Sequence, residues 1–410
     1  MAKSKRRFAL DAASDATDVR ALQTGNAALI EFIRHRIQVS GPVTFAWFME
    51  QALYHPEHGY YSSERAAIGR KGDYFTNVSV GPLYGELMAT QFVEMWQALG
   101  APAEFTIVEQ GAHDGQFAHD VLSAIEHSYP AFFDAVRYEI VEPFAPLRHR
   151  QSELLSQFDA RVSWRTSIDA VVPFCGIHFS NELWDALPVH LLRWTGTEWR
   201  ERYVTINGDD FTFEDSALSS EALSASVGDI APPTSIDYTT EVSLVGLSLV
   251  GSIAQKLTRG FVLAVDYGFS RDDFYAPHRT TGTLQCYRDH QLISSPLTHV
   301  GDADLTAHVE WSSIVPRAEH AGLQLLGFTD QHHFITGLLA NADGGRLIDE
   351  ENPKRQRALQ TLLHPGFLGM KFQFLVLGKD VEPKATLAGL RFARDPRETL
   401  GLKRQPGLED

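Results

Sequence analysis

The stretch that decides the fold class is FTIVEQGAHDG, residues 105–115. Its first four residues form a short, largely apolar run, as in a buried parallel strand, and an amphipathic helical pattern follows the glycine-containing turn. Glycine lets the backbone of such a turn approach a ligand, and the helix start offers free N–H groups. Glu109 ends the strand, where its carboxylate can accept hydrogen bonds from a cationic ligand. Taken singly, an ordinary turn explains the pattern equally well, because the stretch contains neither the dinucleotide fingerprint nor a phosphate loop.

Strand and helix patterns alternate on both sides of this stretch. The alternation predicts an α/β fold with a parallel, doubly wound sheet, whose ligands bind at the carboxyl ends of the strands. The last two strand patterns predict an antiparallel closing edge. Residues 191–257 interrupt the alternation with a predicted meander, a long loop at 215–234 and a helix at 241–257. The predicted strands of the main sheet are 105–108, 138–141, 162–164, 176–179, 261–265, 323–328 and 372–377.

Acidic and amide side chains follow two further predicted strands. Glu142 ends the second strand, where a carboxylate can accept both hydroxyl groups of a ribose. Asn181, Glu182 and Asp185 follow the fourth strand. Glu182 and Asp185 are three residues apart, so on a helical turn they share a face and can hold a guanidinium group. The alternative interpretations are an exposed strand-end glutamate and a helix start whose dipole favours acidic residues.

Composition and charge limit the classes of function. The chain has 36 Lys and Arg against 52 Asp and Glu, a formal net charge of -16, which argues against a nucleic-acid surface. With two cysteines, and histidines in no recognisable metal pattern, we predict a reducing compartment and no metal site. No apolar signal core and no run of about 20 apolar residues is present, so the expected location is the cytoplasm, with no membrane span.

Two further features carry weaker signals. The segment GRKGDYFT, residues 69–76, combines glycine, charge and aromatic residues, which suits a lid over a ligand as well as it suits an ordinary turn. His308 could act as a base or form a polar pocket wall, although a lone histidine is more often structural. We therefore rank both below the acidic strand ends.

Taken together, these motifs resemble the MidA family of S-adenosylmethionine-dependent methyltransferases. The matching blocks occur in the family's order from about residue 40 to residue 378. This coverage is more specific than any single motif. The blocks are LYHPEHGYY at 53–61, GDYFT at 72–76, VGPLYGE at 80–86, VEQG at 108–111, IVEP at 140–143, SNEL at 180–183, DALPV at 185–189, DYG at 266–268, GTL at 282–284, DLTAHV at 304–309 and HP at 364–365.

The resemblance implies a Rossmann-like class I methyltransferase sheet with an N-terminal helical cap and an inserted subdomain. It implies S-adenosyl-L-methionine as the cofactor, and His113 stands where the family usually has glycine, which narrows the space beside the cofactor. The expected organisation is a flexible N-terminus at 1–25, a helical cap and lid loop at 26–100, the core at 101–190 and 258–380, the inserted subdomain at 191–257, and a polar, extended C-terminal tail at 381–410. The expected cofactor-binding residues are Gly72, Asp73, Glu109, Gly111, Asp114, Gly115 and Glu142.

The predicted reaction is methyl transfer to an arginine nitrogen of a protein substrate, an activity credited to a mitochondrial member of the family. Asn181, Glu182 and Asp185 are the expected catalytic residues, with Asn181 aligning the reactants and the two carboxylates binding the guanidinium. Two alternatives stay open at this point. One is a small-molecule methyltransferase of the same fold, and the other is a non-catalytic assembly factor that keeps the fold as a binding module. The oligomeric state is not encoded in any pattern found.

Overall fold

The computed structural model describes residues 24–62, 77–289, 291–349, 351–382 and 387–403. Residues 1–23 of the predicted flexible N-terminus and the whole predicted lid segment, residues 69–76, lie outside the described residues. Gly72 and Asp73, two of the expected cofactor-binding residues, are among them.

The helices and strands of the described residues are numbered in chain order. The helices are α1 Ala27–Ser40, α2 Phe45–Tyr54, α3 Leu83–Ala98, α4 Gln116–Ser128, α5 Pro130–Ala135, α6 Ala145–Leu154, α7 Glu221–Gly228, α8 Leu244–Lys256, α9 Arg271–Phe274, α10 Trp311–His320, α11 Gln331–Leu339, α12 Ala342–Gly345, α13 Pro353–Leu363 and α14 Pro396–Thr399. The strands are β1 Val43–Thr44, β2 Phe105–Gln110, β3 Val136–Val141, β4 Val162–Arg165, β5 Phe174–Asn181, β6 His190–Trp194, β7 Trp199–Asn207, β8 Asp210–Ser216, β9 Thr239–Val242, β10 Leu257–Phe269, β11 Gln285–Arg288, β12 Gln291–Leu292, β13 Asp304–Thr306, β14 Val309–Glu310, β15 Gln324–Asp330 and β16 Phe372–Lys379.

The main sheet has the strand order β15-β16-β10-β5-β2-β3-β4, with β14 paired to β10. The pairs from β10 to β4 are all parallel. The chain winds from β2 out to β4 on one side and then returns through β5 to the other side. The order therefore reverses between β2 and β5, which creates the crevice where ligands bind in such sheets. This topology confirms the predicted α/β, doubly wound fold class.

The late strands close the sheet as predicted. β16 runs antiparallel to β10 and to β15, with Val265 opposite Phe374 and Phe328 opposite Leu375. Alternate β16 side chains enter two apolar clusters on opposite faces of the sheet, one containing Phe374 and the other Leu375. A strand buried on both faces reads as a continuous apolar run, which is why its position could be read from the sequence.

The cap and the insertion share one apolar layer. β1 of the cap pairs antiparallel with β7 of the insertion, and β8, β6 and β9 complete that second sheet. Phe45 and Phe48 of α2 pack against Phe213 and Phe211 of the insertion, with ring centroids 5.9 and 5.7 Å apart. Tyr54, at the end of α2, donates a hydrogen bond to the carbonyl of Ala186 at 3.0 Å. This bond joins the cap to the loop that follows β5.

One prediction within the insertion is wrong. The long loop expected at 215–234 contains helix α7, which Ser220 caps by accepting a hydrogen bond from the Leu223 N–H. Leu223 is buried in an apolar cluster with Leu192, so packing stabilises a segment whose composition suggested a loop. The helix expected at 241–257 is confirmed as α8, Leu244–Lys256, and it starts three residues later than expected because Thr239–Val242 pairs with β6 as β9.

The segment predicted as an extended polar tail is folded onto the core from residue 387 to residue 403. Glu94 and Gln91 of α3 accept hydrogen bonds from the backbone N–H groups of Ala388 and Gly389, at 2.7 and 3.0 Å. Leu387 and Leu400 are buried. A few apolar anchors and backbone hydrogen bonds to α3 therefore override the polar composition.

Candidate active site

A cleft of about 470 Å³ lies at the carboxyl ends of the central parallel strands. Its volume falls in the range of about 300–1,000 Å³ typical of small-molecule sites. Loops after β2, β3 and β5 form one wall, and tyrosines from the cap contribute to the other. Among the described residues of this lining, none is lysine or arginine. Six carboxyl side chains do line it, namely Glu109, Asp114, Glu142, Glu182, Asp185 and Asp304.

Glu109, the first acidic strand end, is 3% exposed and faces this cleft. The hydroxyl of Tyr138 on β3 donates to its Oε2 at 2.8 Å. Burial raises the pKa of Glu109 to about 8, against the opposing effect of that hydrogen bond. A bound cation would favour the ionised form, so this carboxyl is suited to a positively charged ligand.

Glu142, the second acidic strand end, lies in the same cleft directly after β3. Its Oε1 accepts the backbone N–H of Phe144 at 2.9 Å, and its Oε2 accepts the side-chain amide of Gln151 at 3.3 Å. Burial raises the pKa of Glu142 to about 6. Each oxygen keeps a lone pair for a ligand hydroxyl, because a carboxylate accepts about four hydrogen bonds.

The turn between β2 and α4 has the conformation that its glycines favour. Gly111 and Gly115 both have φ near +86°, in the left-handed region, and Gly115 precedes the first residue of α4. Gly111 and Asp114 line the cleft, whereas Gly115 lies behind it, against Gln151. The Asp114 carboxylate accepts the backbone N–H of Gln116 at 3.1 Å and so supports the helix start.

His113 adopts φ +47° in this turn, a conformation that costs a non-glycine residue energy. Its imidazole forms part of the wall, with Nδ1 3.8 Å from the Asp114 carboxylate. The cleft keeps its volume of about 470 Å³ with this side chain in place. The imidazole therefore narrows the site without filling it.

The three expected catalytic residues are brought together at the end of β5, and all three line the cleft. The Asn181 Oδ1 accepts hydrogen bonds from Tyr84 Oη at 3.0 Å and from Asn77 Nδ2 at 3.3 Å. Its Nδ2 donates to Glu182 Oε1 at 2.9 Å. Asn181 thus orients the carboxyl of Glu182, which itself has a left-handed φ of +55°. Burial, reinforced by the charge of Asp185, raises the pKa of Glu182 to about 8.

Two further carboxyls that the sequence reasoning missed surround Asp185. Asp266 is fully buried at the end of β10, and its Oδ2 accepts the backbone N–H groups of Trp184 and Asp185 at 2.7 and 3.2 Å. Asp304 on β13 accepts the Tyr61 hydroxyl at 2.9 Å. Burial and these two neighbours raise the pKa of Asp185 well above its usual range. Both residues begin blocks of the family resemblance, DYG at 266–268 and DLTAHV at 304–309, so the resemblance was the signal that could have found them.

His308 lies outside the lining of this cleft. Its ring stacks on Phe269 with centroids 5.1 Å apart, and burial lowers the pKa of His308 to about 4. Its backbone N–H donates to the Thr283 hydroxyl at 3.0 Å. The structural interpretation of this histidine therefore fits better than a role as a base. Within the described part of the chain, no cluster of three His, Cys, Asp or Glu side chains is arranged to hold a metal ion.

Comparison with known proteins gives the family. The family model described as "Putative S-adenosyl-L-methionine-dependent methyltransferase" matches residues 87–329, from α3 to β15. Two similar curated relatives are the mitochondrial protein arginine methyltransferase NDUFAF7 homologue of Drosophila melanogaster and NDUFAF7 of Homo sapiens. The first is 28% identical, covering 87% of this chain and 86% of the relative. The second is 26% identical, covering 90% and 87%.

A solved structure from Burkholderia thailandensis is similar over nearly the whole chain. It is 28% identical, has a TM-score of 0.81, covers 90% of this chain and 96% of that one, and is bound to S-adenosyl-homocysteine. The sheet order, the cleft at its switch point and these matches agree with one another. Which side chains contact the cofactor or the acceptor stays a prediction. The chain belongs to this family and is an S-adenosyl-L-methionine-dependent methyltransferase.

Proposed function

We propose that this methyltransferase modifies an arginine nitrogen of a protein substrate. The observation that carries the proposal is the concentration of carboxyls at the β5 and β10 end of the cleft, where the described lining holds no lysine or arginine. Glu182, Asp185 and Asp304 meet there. A guanidinium satisfies such a site, because its planar array of donors can bond to more than one carboxylate. The relatives' names, protein arginine methyltransferase, support the same acceptor.

The residues at the other end of the cleft fit the cofactor by the chemistry of their free acceptors. Glu142 keeps lone pairs for ribose hydroxyls, and Glu109 suits the cofactor's ammonium group. The left-handed turn at Gly111 lets the backbone come close to a ligand. S-adenosyl-L-methionine supplies an activated methyl group on a sulfonium, and the electrons of the broken S–C bond stay on the neutral sulfur.

At the acceptor end, this chain's residues bind and orient the guanidinium. Asn181 holds Glu182 through the 2.9 Å hydrogen bond, so that this carboxylate and Asp185 can accept the guanidinium N–H groups. A nitrogen held in this way presents its lone pair to the methyl group at a fixed angle, which lowers the entropic part of the barrier. With a pKa of about 8, Glu182 also suits the uptake of the proton that the methylated nitrogen releases.

The experiment that tests the proposal uses the pure protein, methyl-labelled cofactor and host lysate. We expect the label in protein, and hydrolysis of labelled protein should give methylated arginine. A peptide from a labelled protein, compared with the same peptide carrying lysine for arginine, supplies the matched control. Label on lysine, or on the lysine peptide at an equal rate, would contradict the arginine assignment.

The two alternatives give different outcomes in the same experiment. A small-molecule methyltransferase would leave the label in the low-molecular-weight fraction of the lysate. A binding module without activity would label nothing and would give neither heat nor a thermal shift when titrated with S-adenosylmethionine. The titration tests the cofactor site directly, because the His113 imidazole narrows the space beside the glycine turn.

The compartment is a separate proposal. We propose the cytoplasm, because the two cysteines are not joined in a disulfide and a reducing compartment keeps thiols in that state. The two curated relatives are named as mitochondrial proteins. Among the described residues, no helix is both long and apolar enough to span a bilayer. Fractionation of the native host, followed by immunoblotting, tests the location, and recovery in an organelle or envelope fraction would contradict it.

A further inference from the structure

One buried amide connects the two loops that form the cofactor end of the cleft. Gln151 of α6 is fully buried, although glutamine is mostly an exposed residue. Its Nε2 donates to the carbonyl of His113 at 2.7 Å and to Glu142 Oε2 at 3.3 Å. Its Oε1 accepts the indole N–H of Trp164 on β4 at 2.9 Å. A single side chain therefore contacts the glycine turn, the ribose-facing carboxylate and the neighbouring strand.

From this arrangement we infer that Gln151 is a positioning residue of the cofactor site, which fixes Glu142 and the glycine turn relative to each other. The geometry is specific, because the side-chain amide of Gln151 donates to the His113 carbonyl and to the Glu142 carboxylate, and both of these residues line the cleft. The indole of Trp164 settles which end of the amide carries the nitrogen, because an indole N–H only donates. The inference rests on the proposed cofactor role of Glu142 and does not depend on the identity of the methyl acceptor.

The glycine turn is shaped around the same side chain. A Cβ added to Gly115 would lie 3.2 Å from Gln151 Cγ, closer than an ordinary contact. The left-handed φ of His113 directs its carbonyl towards Gln151 while its imidazole lines the cleft. The strain at His113 is offset by a hydrogen bond to a neutral donor that is buried and already oriented. This is a physical account of why a non-glycine residue is held in that conformation.

Gln151 also acts on the charge of Glu142. Its hydrogen bond stabilises the ionised carboxylate and so opposes the burial that raises the pKa of Glu142 to about 6. Without that donor the pKa would rise further. As the pH is lowered, Glu142 would then become protonated, and lose its capacity to accept ribose hydroxyls, at a higher pH than in the native protein. A residue that only filled space in the core would change stability but not this pH dependence.

The test measures binding of S-adenosylhomocysteine by calorimetry between about pH 5.5 and about pH 8.5. Gln151→Met keeps the length and burial of the side chain and removes its donors and acceptor. We expect a Kd about tenfold higher at neutral pH and an acidic limb of the affinity profile shifted to higher pH. Gln157→Met is the matched control, because Gln157 lies six positions along, is exposed and hydrogen-bonds through its side chain to His119, outside the cleft lining. It should bind as the native protein does.

A second variant keeps the test decisive if Gln151→Met folds poorly. Trp164→Phe removes the indole donor that orients the amide and keeps an aromatic ring at this position, so it should raise the Kd in the same direction by a smaller factor, about threefold. The two changes together should cost less than the sum of the single effects, because both act through one amide. Native affinity with a native pH profile in folded Gln151→Met or, where that variant is unfolded, in Trp164→Phe would overturn the inference.

Discussion

The two ends of the cleft are assembled in opposite ways. At the cofactor end, the contacting groups are close in sequence, since Tyr138 and Glu109 are 29 residues apart and Gln151 and His113 are 38 apart. At the acceptor end, Tyr61 and Asp304 are 243 residues apart. The cofactor end is built by one continuous part of the chain, from β2 to α6. The acceptor end forms only when the cap, β5, β10 and β13 come together. Local chain geometry therefore builds the end of the cleft proposed for the cofactor, and long-range assembly builds the end proposed for the acceptor.

The two ends also differ in their electrostatics. At the cofactor end, neutral donors from Tyr138, Phe144 and Gln151 satisfy the carboxyls. At the acceptor end, burial raises the pKa of Glu182 and of Asp185, and nearby carboxyls add to it, Asp185 for Glu182 and Asp266 and Asp304 for Asp185. Without a bound cation, the carboxyls of the acceptor end cannot all ionise, because neighbouring carboxylates repel one another. A bound cation offsets this repulsion. The cofactor end is prepared in advance, whereas the acceptor end is completed by its substrate.

The largest expected effect separates the two ends directly. Glu182→Gln should lower kcat by about 100-fold or more, because it removes a carboxylate that orients the acceptor and takes up its proton, while S-adenosylhomocysteine affinity stays near native. Glu142→Gln should instead raise the S-adenosylhomocysteine Kd by about tenfold or more, because the charged acceptor of the ribose is lost. Single-turnover kinetics and calorimetry measure the pair. Equal losses of cofactor affinity in both variants would mean that the ends are not separate.

The next effect tests the turn at the cofactor end. Gly115→Ala should destabilise the fold by about 1–2 kcal/mol, because φ is +86° and the new Cβ would press on Gln151. Gly208→Ala is the matched control, since its φ of +61° carries a similar strain but nothing lies within 4 Å of the added Cβ. Both should unfold at lower denaturant concentration, and only Gly115→Ala should weaken S-adenosylhomocysteine binding. Weaker binding in both would point to a general effect of strain.

A smaller effect is expected in the pH dependence of stability at the acceptor end. The pKa of Glu182, about 8, is above its unfolded value, so its contribution to stability is present at low pH and is lost as pH rises through about 8. Glu182→Gln cannot ionise, and without ligand it should lose less stability between about pH 5 and about pH 9, by about 1 kcal/mol or more. Denaturant titrations at several pH values measure this slope. A slope identical to the native one would contradict the raised pKa.

The smallest effect concerns the cap. Tyr61→Phe removes the hydroxyl that donates to Asp304. The KM for an arginine peptide should rise about three- to tenfold, which is the size of effect expected for the loss of one hydrogen bond. Cofactor affinity should not change, because Tyr61 belongs to the other end. A rise in the S-adenosylhomocysteine Kd larger than the rise in KM would place Tyr61 in the cofactor end instead.

Sequence patterns predicted much of the cofactor end and less of the acceptor end. Strand periodicity located Glu109 and Glu142, because Glu109 lies in the last two residues of β2 and Glu142 follows directly after β3. The same reasoning found Asn181, Glu182 and Asp185 but not their neighbours. Asp266 was visible only as the end of a strand, and nothing in the local pattern shows that its carboxylate holds the backbone of Trp184 and Asp185. The buried role of Gln151 was likewise absent from any periodicity, since a polar residue in α6 reads as an exposed one.

The sequence by itself determined the α/β class, the glycine turn after β2 and the acidic strand ends, because these depend on spacings within a few tens of residues. Only the tertiary structure decided that Tyr61 meets Asp304 beside Asp185, that α7 forms in a loop-like segment and that residues 387–403 fold onto the core. The reason is physical. Contacts across hundreds of residues depend on chain closure and shared burial, which local periodicity does not encode.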